Sequence, residues 1–198
     1  SSWQDQVATH IVDEALNFIT YYGPDRIFYD AAALGSADIV LTTYDVLVSE
    51  FDIKDQDKPS DGNDKKMKSS KSPVEQVMWH RVVLDEAHTI RNVKSQRNKA
   101  CMMLKSTYRW AVTGTLLVNN VADLQAYLRF LQLFPFSRDP TLFNRYFTRP
   151  IKNGDSESLS QLRALMKTLS LRREKSNIDE IKLTPKAEYL VEVTLSEQ

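Results

Sequence analysis

Cysteine is all but missing: Cys101 stands alone in 198 residues. That excludes an internal disulfide and a cysteine-built zinc site, and it fits a reducing compartment, with Cys101 a small core residue. Glycine is also scarce, at 23, 35, 62, 114 and 154. No combination of these five makes the G-x-x-x-x-G-K-[S/T] loop that cradles nucleotide phosphates with amides and a lysine. No apolar run approaches the roughly 20 residues of a membrane span. The opening stretch Ser1 to Gln6 lacks the basic-then-apolar pattern of a signal peptide. We therefore expect a soluble, intracellular protein with no membrane partner. Net charge is missing too: 26 basic and 26 acidic residues cancel, so any contact with nucleic acid must be local.

What is present suits a folded domain. Hydrophobic residues at 42% and charged ones at 26% lie far from a disordered composition, and the length suffices for one domain or slightly less. Val7, Ile11, Ala15 and Phe18 keep a spacing of three to four, which predicts an amphipathic helix from Trp3 to Ile19. Tyr21-Tyr22-Gly23-Pro24 breaks it, and Arg26 to Tyr29 reads as a short strand. Asp38-Ile39-Val40-Leu41-Thr42-Thr43 has the unbroken apolar, β-branched character of a covered parallel strand.

Residues 52–73 are crowded with Asp, Lys and Ser and hold Pro59, Gly62 and Pro73, the composition of a mobile surface insertion. Its lysines, Lys65, Lys66, Lys68 and Lys71, read as a solvated run blunted by nearby aspartates. Beyond it, Val82-Val83-Leu84 and Arg109 to Val112 read as strands, and Ser95 to Lys105, Asn120 to Leu133 and Ser158 to Leu169 as helices. Strands alternating with helices indicate an α/β sheet wound from βα units. Tyr189 to Leu195 alternates as a final strand. Trp79 and Trp110 are assigned to the core beside the strands, and His10 and His80 have no metal-ligand spacing.

The chemistry concentrates in Val82-Val83-Leu84-Asp85-Glu86-Ala87-His88. A strand that ends in adjacent carboxylates presents them at its carboxyl end, where open α/β sheets bind ligands. There one carboxylate can help hold Mg²⁺ while the other orients a water for attack on a phosphate. The alternative for the same residues is helix capping, in which they satisfy free amides.

Five segments together resemble the SWI/SNF family of helicase superfamily two, in particular its DNA-repair branch, whose members often carry a RING finger. Asp85-Glu86-Ala87-His88 is similar to the family's DEAH box, followed by Thr89-Ile90-Arg91-Asn92. Arg109 to Thr115, with Asn119-Asn120, resembles motif III; Ser1-Ser2-Trp3-Gln4 resembles motif Ia, and Asp38 to Tyr44 motif Ib. Leu171-Arg172-Arg173-Glu174-Lys175 resembles the basic segment leading to a second lobe.

The resemblance implies a RecA-like, P-loop NTPase-type α/β lobe, a mostly parallel sheet flanked by helices and incomplete at the N-terminus. Residues 1–51 would form its first part and 74–175 the remainder, with 176–198 a connector towards a second RecA-like lobe that is missing here. It implies ATP as substrate with Mg²⁺ on Asp85, catalysis by Glu86 with His88, and coupling by Thr113, Gly114, Thr115 and Asn119. Ser2, Thr42, Thr43, Arg172 and Arg173 would contact double-stranded DNA through phosphates, which need donors and carry no sequence information. For the two arginines a solvated basic helix end is an equal alternative. The implied setting is the nucleus, with chromatin or repair proteins as partners.

Two departures stand out. The phosphate loop, which precedes motif Ia in the family, is absent, so these residues alone are expected to be inactive. Leu116, Leu117 and Val118 replace the polar and proline positions of motif III, which weakens coupling. A non-hydrolysing DNA- or protein-interaction module is the competing reading.

Overall fold

The computed structural model describes residues 2–12, 15–51, 71–115 and 120–172. The chain runs α1 (Ser2–His10), β1 (Phe18–Tyr21), a 3₁₀ turn (Pro24–Phe28), α2 (Ala31–Ser36), β2 (Ile39–Thr42), α3 (Tyr44–Glu50) and α4 (Pro73–Gln76). It continues with β3 (Trp79–Leu84), a second 3₁₀ turn (Ala87–Ile90), α5 (Gln96–Met103), β4 (Ser106–Ala111) and α6 (Asp123–Phe130). The last stretch holds α7 (Pro140–Phe143), a π-helical turn (Asn144–Thr148), α8 (Arg149–Lys152) and α9 (Ser156–Leu169). No described helix is long and apolar enough to cross a membrane.

Both strand pairs are parallel. β1 pairs with β2, Phe18 opposite Ile39 to Tyr21 opposite Thr42, and β3 pairs with β4, Arg81 opposite Tyr108 to Leu84 opposite Ala111. Parallel neighbours need crossover connections, and α2 lies between β1 and β2 as α5 lies between β3 and β4. Among the described residues the two pairs share no ladder. One core joins them: Ile19 and Tyr21 from β1 and Leu84 from β3 meet Leu34, Leu47, Ile90, Cys101, Leu124 and Phe130 from the helices.

Helix starts follow the sequence chemistry. Asp30, Thr43 and Ser95 accept hydrogen bonds from the amides of Ala33, Val46 and Asn98, the side-chain caps that satisfy amides lacking a partner in the first turn.

Three expectations are corrected. The helix predicted from Trp3 to Ile19 ends at His10, and Phe18 and Ile19 open β1 instead. Phe18-Ile19-Thr20-Tyr21 is an aromatic and β-branched run, and pairing with β2 outweighs the coincidence of helical spacing. The strand expected at Arg26 to Tyr29 is instead the 3₁₀ turn Pro24–Phe28. Pro24 fixes a helical φ at the first position, and Gly23 supplies a φ of 74° just before it.

Trp110, assigned to the core, is 58% exposed. Its parallel register with Val83 puts it on the sheet face turned away from the core, while Ala111 packs inward. The Arg81 guanidinium carbon sits 5.8 Å from the ring centroids of both Tyr108 and Trp110. Trp79 does pack against the core, and Cys101 is fully buried in it. The expected strand at Tyr189 to Leu195 and nearly all of the expected insertion lie outside the described residues, and α4 begins at Pro73.

Candidate functional site

β3 delivers Asp85 and Glu86 to its carboxyl end, where both are exposed. The turn after them is tight. Glu86 adopts a left-handed conformation, φ 46° and ψ 49°, which a residue with a Cβ adopts at a cost of about 1–2 kcal/mol. The Glu86 side chain makes no capping hydrogen bond to the following 3₁₀ turn. The capping alternative thus fails for this residue, and its carboxylate remains exposed beside His88.

Asp85 is held from several sides. Its Oδ1 accepts from the Glu86 amide at 2.9 Å, and its Oδ2 accepts from the indole Nε1 of Trp3 at 2.7 Å. Its carbonyl accepts from the Tyr44 hydroxyl, also at 2.7 Å. Burial, together with the charges of neighbouring groups that include Asp85 and Glu86, raises the Tyr44 pKa well above the usual phenol range, so this hydroxyl stays a donor. Segments 41 and 82 residues away in sequence therefore converge on one aspartate.

His88 Nδ1 lies 3.1 Å from Glu86 Oε2. The contact is close but not aligned as a hydrogen bond, which leaves Nδ1 buried and without a hydrogen-bond partner among the described residues. Behind the turn, Asn98 Nδ2 donates to the Ile90 carbonyl at 2.7 Å and ties the 3₁₀ turn to α5.

A backbone stitch joins this turn to the end of β4. The Val112 amide donates to the Leu84 carbonyl at 2.8 Å, and the Ala87 amide donates to the Val112 carbonyl at 2.9 Å. Thr113 follows at once. Its hydroxyl closes a local turn by accepting from the Thr115 amide at 3.2 Å, and Gly114 has open space where a Cβ would lie.

The expected phosphate-contacting residues differ in availability. Thr42 donates its hydroxyl to the Tyr21 carbonyl at 2.8 Å, so its proton is committed to the strand pair. Thr43 is exposed and uses its oxygen as an acceptor for α3, which keeps its proton free. Ser2 begins α1, and Arg172 is exposed just after α9. Asn119 and Arg173 lie outside the described residues.

Sequence reasoning assigned no role to Trp3, Tyr44 or Val112 in shaping the site. Trp3 and Tyr44 stood inside quoted segments, but no spacing links a residue to a partner 82 positions away. Backbone stitching through Val112 leaves no side-chain signature at all.

Comparisons with known proteins now bear on this geometry. A model described as the SNF2-related domain matches residues 1–198. The chain is 39% identical over 205 residues to the "Helicase-like transcription factor" of Mus musculus, covering 100% of this chain and 18% of that protein. It is 35% identical over 202 residues to "DNA repair protein RAD5B" of Arabidopsis thaliana, covering 100% and 15%. The chain thus spans less than a fifth of either relative. It is also similar to a solved Sulfolobus solfataricus SWI2/SNF2 ATPase core in complex with dsDNA, with TM-score 0.64 and 31% identity over 89% of this chain and 32% of that one.

Proposed function

Since the chain belongs to the SNF2-related domain family over its whole length, we propose that it is the first RecA-like lobe of a DNA-dependent ATPase that tracks along double-stranded DNA. The observation that carries this reading is the pair Asp85 and Glu86 at the carboxyl end of β3, stitched through Val112 to the Thr113-Gly114-Thr115 turn.

The donor set suits Mg²⁺. Two exposed carboxylates offer hard oxygens, and among the described residues no three His, Cys, Asp or Glu side chains cluster into a complete ligand cage. Mg²⁺ favours such a partial site, because it keeps several waters and takes other ligands from substrate phosphates. When bound, ATP and Mg²⁺ supply the transferable phosphoryl group and neutralise its charge.

In this reading Asp85 holds the metal side of the site, positioned by Trp3 and Tyr44. Glu86, not spent on capping, orients the attacking water and accepts its proton. His88 senses Glu86 through its unaligned contact. Thr43, Ser2, Arg172 and Arg173 offer hydroxyl, amide or guanidinium donors to DNA phosphates. This reading also needs a phosphate-cradling loop and a second lobe, which these 198 residues do not supply, so this stretch alone is not expected to hydrolyse ATP. The names of the relatives, a transcription factor and a DNA repair protein, favour a nuclear role with chromatin or repair partners.

The test uses the intact protein. Double-stranded DNA should stimulate ATP hydrolysis, and Glu86→Gln should reduce it by at least about a hundredfold while nucleotide binding remains. Hydrolysis that survives Glu86→Gln within a few-fold would remove Glu86 from the mechanism. The replacement of motif III polar positions by Leu116, Leu117 and Val118 favours a second reading, a non-hydrolysing DNA-binding module. Wild-type protein that binds DNA but hydrolyses nothing would establish that one.

A further inference from the structure

A cavity of about 700 Å³ opens where α6 ends, lined by Arg109, Arg129, Gln132, Phe134, Ser137 and Arg138 among others. Arg109, Arg129 and Arg138 line it, and among the described residues no carboxylate does. None of the three arginines forms an ion pair with a described carboxylate. Asp139, beside Arg138, does not line the cavity and accepts from the amide and hydroxyl of Thr141.

Arg109 forms the floor. It donates to the carbonyls of Leu104 and Phe130 and lies 5.1 Å from the Phe130 ring centroid. Its Nε is buried without a partner. A half-buried cation lacking a counter-charge is costly unless an anion completes it.

A second, independent oddity sits on the rim. Gln132 takes a left-handed φ of 56° just beyond α6, a position where helices normally place glycine or asparagine. Retaining a long polar side chain there against that preference points to a use for the side chain. Beside it the Phe134 ring is 73% exposed, a flat apolar surface with no described partner in ring stacking.

We propose that this pocket binds a nucleotide, its phosphate on Arg109, Arg129 and Arg138 and its base stacked on Phe134, with Gln132 and Ser137 supplying hydrogen bonds. Guanidinium forks match phosphate geometry, aromatic rings hold bases of any sequence by stacking, and the volume lies within the usual range for small-ligand sites. The site is distinct from the DEAH carboxylates. Arg109 pairs across the sheet with Val82, three residues before Asp85, so it lies about 10 Å back along the strand direction. The remaining lining residues named above fall at 129–138, outside every motif segment.

Calorimetry on the intact protein tests this with AMP and ribose 5-phosphate. AMP is expected to bind at least about tenfold more tightly than ribose 5-phosphate, an advantage that Phe134→Ala removes. The double substitution Arg129→Gln with Arg138→Gln should weaken AMP at least about tenfold. Both variants alter surface side chains and should leave ATP hydrolysis unchanged. Competition with AMP by a 5′-phosphorylated oligothymidine, and not by its unphosphorylated twin, identifies a strand end as the source; no competition identifies a free nucleotide. AMP affinity unchanged in both variants overturns the site, and equal affinity for AMP and ribose 5-phosphate overturns a nucleotide as its ligand. If the affinity pattern holds in a protein that hydrolyses no ATP, the motor reading fails and this pocket stands. Normal DNA-stimulated hydrolysis with unchanged AMP affinity gives the reverse.

Discussion

Glu86 carries both its chemistry and a backbone cost. Its left-handed φ disfavours any residue with a Cβ, and glycine would remove that penalty while adding freedom to the unfolded chain. Glu86→Gly should therefore stabilise the fold by about 1 kcal/mol net, read as a higher urea midpoint, while abolishing hydrolysis. A midpoint equal to or below wild type would mean that the turn is unstrained. The carboxylate itself was legible in the sequence, because an apolar run ending in Asp-Glu places both at a strand's carboxyl end. The strain was not, since a φ value set by where the following 3₁₀ turn packs has no local signature.

At the scale of elements, α7 and the π-helical turn are secured by aromatic packing. Phe143 is fully buried, with its ring centroid 5.9 Å from that of Phe136 and 5.3 Å from that of Phe147. Phe143→Ala should cost about 3–5 kcal/mol by urea unfolding, whereas Tyr146→Ala, exposed on the other side of the same turn, should cost well under 1 kcal/mol. Equal losses would contradict the packing described. Elements with a single strong pattern were readable from the sequence: β2 from its β-branched run, and α6 and α9 from apolar spacing. The misreadings came where two patterns overlapped. Phe18 fits the helical stripe of Val7 and Ile11, yet its neighbours Ile19 and Tyr21 alternate into the core as a strand. Trp110 is apolar and strand-borne, and only the register with Val83 reveals which face it occupies.

Across the whole molecule, several acids are kept protonated by the fold. Burial pushes the Cys101 thiol from its ordinary 9 up to about 12. Burial and the Glu50 charge push the Tyr21 hydroxyl from 10 up to about 12, and burial also raises Tyr44 and Tyr127. Above pH 9 the unfolded chain releases these protons first, so the folded state binds more of them. Stability must then fall as pH rises from about 9 through about 12. Urea midpoints at pH 7.5 and 10.5 should show the drop, and Cys101→Ala with Tyr21→Phe should reduce it, leaving the part due to Tyr44 and Tyr127; an unchanged midpoint would contradict the burial of these groups. The same molecule-wide view gives Asp85 a second meaning. The two strand pairs share packing but no ladder among the described residues, and two polar links join their surroundings: Arg97 of α5 on Asp45 of α3, and Asp85 after β3, gripped by Trp3 of α1 and Tyr44 of α3. An aspartate that serves at once as fastener and as ligand obeys thermodynamic reciprocity: whatever draws on its carboxylate loosens the hold of Trp3. Whatever realigns the two plates alters the carboxylate's affinity by the same factor.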